Sequence, residues 1–304
     1  MNEGKMFSIR VPASTANLGP GFDSIGLALN LYLTVDVYES TDWKVVPLSK
    51  ELEGFPKDDQ NYIFIIAKKI ARKFGKALPT CTLRVTSDIP LTRGLGSSAS
   101  AIVAGVELAD VLCGLELTKE DKAHLASCIE GHPDNAGASV LGGLVVGVQM
   151  NNETHLMSIP LNGLDIIALI PMYELSTSHS REVLPSAFSY QEGVKASAIA
   201  NTFLAALLTK NYMLAGKMMS EDRFHQPYRK KLVPHMQNAE TVAIEAGAFG
   251  VALSGAGPTI VALCEKSYSE EVLRALRSQF TKDTVLKLQV DHVGSVVAHH
   301  LRKN

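Results

Sequence analysis

Residues 90–105 read PLTRGLGSSASAIVAG, and the order of residue types in this stretch decides how the chain is built. Pro90 stops the strand pattern before it, and Gly94 and Gly96 supply backbone that turns freely. From Ala99 onward, Ile102, Val103, Val106, Ala109, Leu112 and Cys113 share one helical face, and Gly114 is placed to end the helix. A glycine turn feeding a helix start gathers amide N–H groups without partners, and the helix dipole adds partial positive charge. Such a start binds phosphate. Ser97, Ser98 and Ser100 add hydroxyls where a nucleotide–metal complex needs them.

Two familiar phosphate motifs do not fit. A Walker loop needs a lysine before the helix, and none lies between Arg93 and Ala99. Gly94-x-Gly96-x-x-Ala99 matches the dinucleotide fingerprint loosely, but that motif requires a following strand ending in an acidic residue. A polar turn and a second helical pattern over residues 118–130 follow instead. Taken alone, the stretch leaves open an ordinary serine-rich turn capping a core helix.

The chain has 304 residues, enough for one large or two ordinary domains. It is 46% hydrophobic and 20% charged, as expected of a globular protein with a full core. A net charge of −2 without charged tails argues against nucleic acid as a partner. Cys81, Cys113, Cys128 and Cys264 are isolated, which points to reduced thiols and a cytoplasmic setting. His124 and Cys128 sit one helical turn apart, too few ligands for a zinc site. No run approaches the roughly 18 apolar residues that span a bilayer, and the first residues lack an apolar signal core.

In chain order, residues 7–11 form a strand pattern ended by Pro12, and the polar run between Val11 and Ile25 reads as a loop. Asn17 and Asp23 in that run offer an amide and a carboxylate suited to an ammonium group. A strand over 27–37, an amphipathic helix over 59–74 and a strand over 80–87 lead into the phosphate loop. Thr118 with Asp121 forms a capping-box start to a helix ending at Glu130-Gly131. A glutamate is electrostatically misplaced at that end, which carries partial negative charge. Magnesium explains it better, with Ser98 and Glu130 as the ligand pair. His132-Pro133-Asp134-Asn135 reads as a tight polar turn before a glycine-rich strand over 142–148.

A continuous apolar strand over 164–171 opens a second domain. The turn after it presents Arg181, a candidate bidentate carboxylate clamp. Helices over 196–208 and 211–219 follow, and Pro227 is expected to end helical structure near Gln226. Beyond them Asp222, His225 and Arg229 cluster, with His225 either a packed histidine or a base by type. Two short strands around Ser254-Gly255-Ala256-Gly257-Pro258 read as a glycine hairpin, and a helix over 270–280 and a strand over 285–290 close the chain.

Together these segments resemble the GHMP small-molecule kinases, named for galactose, homoserine, mevalonate and phosphomevalonate. Residues 90–100 resemble their central phosphate loop and residues 12–23 the substrate loop of the homoserine kinase branch. The 254–258 turn resembles their third motif. The resemblance implies an α+β two-domain fold: residues 1–160 like domain 2 of ribosomal protein S5, residues 161–304 ferredoxin-like. It implies that ATP phosphates are held by Pro90, Leu91, Thr92, Arg93, Gly94, Leu95, Gly96, Ser97, Ser98, Ala99 and Ser100. Asn61 would border the adenine, and Ser98 and Glu130 would hold Mg2+.

L-Homoserine would meet Asn17, Asp23, His132, Asp134 and Asn135, with Arg181 and Arg229 on its carboxylate. Asn135 would bond the attacking hydroxyl; Asp134 would be the base, or none would be needed. The implied reaction is ATP-dependent phosphorylation of that hydroxyl in threonine biosynthesis. A mevalonate-type kinase has no ammonium to set against Asp23, and a sugar kinase no use for two arginines. A non-catalytic ATP or amino-acid sensor would need neither Ser98 nor Glu130. A homodimer is the common expectation for soluble enzymes.

Overall fold

A computed structural model describes residues 4–299. The first two strands, β1 (Lys5–Asn17) and β2 (Gly21–Glu39), form one long antiparallel pair. The expected loop between Val11 and Ile25 is therefore almost all strand, with only residues 18–20 turning. Ser14, Thr15 and Asn17 gave it the look of a loop, yet all are at most 2% exposed and bonded inside the protein. Pro12 does not end β1; a register shift between Pro12 and Ala13 accommodates it.

The chain continues through β3 (Lys44–Pro47), α1 (Tyr62–Lys73), β4 (Cys81–Ser87), α2 (Ser97–Cys113) and α3 (Lys119–Glu130). The capping box of Thr118 and Asp121 forms as expected, and Gly131 closes α3 in the left-handed conformation. The expected polar turn at 132–135 is instead the start of a helix, α4 (Pro133–Leu141). Pro133 sits in its first turn, where a missing N–H costs no helical bond. Small buried residues, Ala136 through Ser139, let α4 lie close against β1 and β2.

With β5 (Leu144–Met150) and β6 (Glu153–Ile159) the first sheet is complete. Its order is β11-β1-β2-β4-β3, where β11 is Val296–His299 near the other end of the chain, with β5 paired to β2 and β6 to β5. The length of β2 allows this branching: Ile25–Leu27 pairs with β5, and Leu33–Glu39 with β4.

The second sheet begins with β7 (Leu164–Ile170), buried at all seven positions. Its alternate residues enter two cores, Ile166, Ala168 and Ile170 on one side and Ile167 and Leu169 on the other. Then come α5 (Thr177–Glu182), α6 (Tyr190–Leu208), α7 (Tyr212–Ser220), α8 (Gln226–Arg229) and α9 (Met236–Glu245). Pro227 does not end a helix near Gln226; it lies in the first turn of α8. After β8 (Gly250–Leu253), β9 (Ile260–Glu265), α10 (Ser269–Gln279) and β10 (Thr284–Leu288), the sheet order is β10-β7-β9-β8. The last strand, β11 (Val296–His299), pairs with β1. Residues 296–299 thus lie in the first sheet, beside the strands of the N-terminal stretch.

Candidate active site

Three separated segments hold the phosphate loop. Gly94 and Gly96 have φ of +80° and +73°, and a Cβ on either would come within 2.3 Å of Ser254 O or Ser14 Oγ. Only glycine fits there. The Ser254 hydroxyl donates to Gly94 O at 2.6 Å and reaches Thr15 Oγ1 at 2.8 Å. Ser14 N–H donates to Leu95 O, and Thr259 N–H to Arg93 O. The Arg93 guanidinium bonds Pro171 O, Met172 O and Leu91 O and pairs with Glu174. It ties the loop to the second sheet and does not point to a phosphate role. Leu95 and Ala99 are buried in the core, and Ser100 donates to Ser97 O.

Ser97 and Ser98 open α2 directly after Gly96. Ser98 Oγ donates to Glu130 Oε2 at 3.3 Å, bringing together the two expected metal ligands. Lys122 of α3 reaches Glu107 and Asp110 of α2 at 2.8 and 2.7 Å and fixes the two helices against each other. Burial raises the pKa of the Glu130 carboxyl, opposed by His132 and by the Ser98 bond. A hydroxyl beside a carboxylate, both hard oxygen donors, fits a magnesium ion.

Two cavities meet at this point. One, of about 280 Å3, is lined mainly by apolar groups including Leu52, Phe55, Pro56 and Tyr62. The other, of about 230 Å3, is lined by Asp23, Glu130, His132, Asp134, Asn135, Arg181 and Arg229. They share Thr92, Ser97 and Ser98. Asn61 borders the apolar cavity as the cap of α1, but its amide already accepts from Ile63 N–H and donates to Pro56 O.

In the polar cavity, Arg181 donates two bonds to the Asp23 carboxylate, at 2.8 and 3.0 Å. Asn17 and Asp23 both have left-handed backbone, φ +75° and +53°. The Asn17 amide holds that geometry, accepting from Asp23 N–H and donating to Gly255 O, both at 3.0 Å. Asn17 therefore frames the site rather than presenting a free amide. His132 Nδ1 makes a short bond to Asp134 Oδ1, which also accepts from Asn135 N–H. Burial works against the His132 imidazolium, but Asp134, Asp23 and Glu130 outweigh it and raise its pKa. Asn135 Nδ2 donates to Ser14 Oγ at 2.9 Å.

Arg229 is 2% exposed; Nε donates to Ser180 O and Nη1 to Gly255 O. Burial and the neighbouring Arg181 pull its pKa down to about 10, so it stays charged at neutral pH. His225 is fully buried, with Nε2–H donating to Gly19 O at 2.9 Å and Nδ1 facing Arg229. Asp222 accepts from three backbone N–H groups, Phe224 to Gln226. His225 is a packed support, not a base. The sequence reading missed Ser14 and the walls of the apolar cavity, whose residues come from well-separated segments.

Comparison with known proteins follows the same lines. Residues 61–143 match the model of the GHMP kinases N terminal domain, and residues 203–282 that of the GHMP kinases C terminal. The chain is 49% identical over 298 residues to a homoserine kinase of Bacillus velezensis, covering 98% of this chain and 96% of that protein. The crystal structure of homoserine kinase from Cytophaga hutchinsonii aligns with a TM-score of 0.84 at 25% identity, over 98% of each chain. The mevalonate kinase of Methanococcus jannaschii shares the fold, with a TM-score of 0.71 at 19% identity, over 95% of this chain and 99% of that one.

Proposed function

The chain belongs to the GHMP kinase family, in its homoserine kinase branch, and from that premise we propose how its residues transfer phosphate from ATP to the side-chain hydroxyl of L-homoserine. The observation that carries the reading is the meeting of an apolar and a charged cavity at Ser97 and Ser98, on the first turn of α2. The apolar cavity suits the adenine, and the α2 N–H groups face the phosphates between the two. The polar cavity supplies opposite charges for a zwitterion. Asp23 takes the ammonium group, and Arg181 and Arg229 take the carboxylate. We assign nucleotide handling to residues 1–160 and the carboxylate arginines to residues 161–304.

Ser98 and Glu130 would hold Mg2+, which when bound neutralises charge on the transferring phosphates. With Nδ2 donating to Ser14, Asn135 keeps its Oδ1 as the acceptor for the substrate hydroxyl. Asp134 already accepts from His132 and from Asn135 N–H, so its role is to orient those two groups. The hydroxyl oxygen bonds the γ-phosphorus as the bond to the bridging oxygen of ADP breaks, and the hydroxyl proton leaves to solvent. Positioning dominates, as expected for phosphoryl transfer.

Coupled ADP release with Mg-ATP, comparing L-homoserine, mevalonate and galactose, tests this reading. Turnover with homoserine alone, lost in Glu130→Ala, is the expected result. Turnover with mevalonate would overturn the roles given to Asp23 and the arginines. ATP binding without turnover of any substrate would point to a sensor.

A further inference from the structure

Two guanidinium groups converge on the polar cavity from separate helices, Arg181 from α5 and Arg229 from α8. Like charges held this close repel, and Arg181 is among the causes that lower the pKa of Arg229. Asp23 offsets the repulsion while it is bonded to Arg181. On the reading above, Asp23 turns to the ammonium group when substrate binds. The substrate carboxylate then offsets the repulsion, but only if both guanidiniums are already aimed at the one place where it arrives.

Phe22 is the neighbour that both arginines share. Its ring centroid lies 5.5 Å from the Arg181 guanidinium carbon and 5.2 Å from that of Arg229. The ring also stacks on His225, with centroids 5.4 Å apart and planes 20° apart. His225 is itself fixed by Gly19 O and faces Arg229 Nη1 at 3.4 Å. Phe22 belongs to none of the apolar clusters among the described residues. A partly buried phenylalanine whose ring contacts are two arginines and a histidine is not placed for core packing.

We propose that Phe22 is a positioning residue of the substrate site, its ring carrying Arg181 and Arg229 together so that both guanidiniums meet one carboxylate. The attraction of a cation to an aromatic face does not depend on Asp23, so it persists when Asp23 changes partner. Guanidinium suits this role because it is planar and weakly hydrated. The inference rests on the assignment of the two arginines to the homoserine carboxylate.

The test compares Phe22→Leu, which keeps apolar bulk without a π face, with Phe22→Tyr, which keeps the face. Expected for Phe22→Leu is a KM for homoserine raised roughly tenfold, with kcat and the KM for ATP within about twofold. Phe22→Tyr should stay within about threefold of the unaltered protein in every constant. If Phe22→Leu does not fold, Phe22→Met carries the same expectation. A homoserine KM unchanged in the ring-less variant overturns the proposal. So does equal loss in the leucine and tyrosine variants, which would mean that shape alone matters, or a fall in kcat with KM unmoved. Failure of the underlying assignment is distinct, because Arg181→Ala and Arg229→Ala would then leave the homoserine KM unmoved.

Discussion

Asp23 and Arg181 lie 158 residues apart in sequence and form a bidentate ion pair in the wall of the polar cavity, at 2.8 and 3.0 Å. Each is the group we assign to one charge of the substrate, so without substrate the two charges satisfy each other. A ligand carrying both charges exchanges one pairing for two. A ligand carrying one charge must leave the other protein group unpaired, and that costs free energy.

Single-charge analogues should therefore fail together. We expect 4-hydroxybutyrate, which lacks the ammonium, and 3-aminopropanol, which lacks the carboxylate, each to fall at least ~100-fold below homoserine in kcat/KM. Arg181→Ala should raise the homoserine KM by roughly 10- to 100-fold. Both side chains are more than a third exposed or close to it, at 39% and 34%, so the pair adds no more than about 1 kcal/mol to stability. The melting temperature of Arg181→Ala should accordingly stay within a few degrees of the unaltered protein. Efficient phosphorylation of either analogue would sink the exchange.

The two loop glycines give a second prediction. A Cβ at Gly94 or Gly96 meets Ser254 O or Ser14 Oγ at 2.3 Å, and the backbone at both is left-handed. Gly94→Ala and Gly96→Ala should each cost about 1–3 kcal/mol of stability. Because the displaced atoms are the supports of the phosphate loop, ATP affinity should fall at least ~10-fold. Calorimetric titration of Mg-ATP beside thermal melting checks both effects; unchanged ATP affinity would show that the loop tolerates a shift.

Much of this architecture was legible in the chain. The α2 start, the α3 capping box and the 254–258 hairpin all follow local rules of turns and caps, which a single segment reveals, and Glu130 stands out by breaking one. What local rules could not show was decided by distant partners. Ser14, Thr15 and Asn17 look like loop residues until their partners at Asn135, Ser254 and Gly255 are known. Helix α4 was hidden because Ala136-Gly137-Ala138-Ser139 has little apolar periodicity, its smallness serving close packing. The return of β11 to the first sheet and the Asp23–Arg181 pair are likewise products of topology.

Glu130 separates metal binding from general loss of activity. Its carboxylate is beside Ser98 Oγ, at 3.3 Å, and burial already disfavours its charged form. An ion would restore that charge's partner. Glu130→Gln keeps size and hydrogen bonding but removes the charge, so half-saturating Mg2+ should rise at least ~10-fold at fixed ATP. Titration of activity against free Mg2+ reads this directly; a kcat loss with the Mg2+ midpoint unmoved would remove Glu130 from the metal site.

His225 ties the site to the pH dependence of stability. It is fully buried, donates from Nε2–H to Gly19 O, and faces the charged Arg229 with Nδ1. Burial, reinforced by Arg229 and opposed by Asp222, pulls its pKa from 6.5 down to about 4. The unfolded chain then binds a proton that the folded one refuses between these two values, so stability rises with pH across that window. The contribution is complete above pH 6.5 and is lost as pH falls through about 4, an effect on the order of 3 kcal/mol. Asp222 caps the neighbouring turn through the N–H groups of His225 and Gln226, so one variant must isolate the imidazole. His225→Asn removes the titrating ring and should flatten the stability curve between pH 6.5 and 4.5, although it lowers stability at every pH. Urea unfolding at closely spaced pH values measures both slopes, and parallel curves for the two proteins would show that the buried imidazole carries no part of the acid sensitivity.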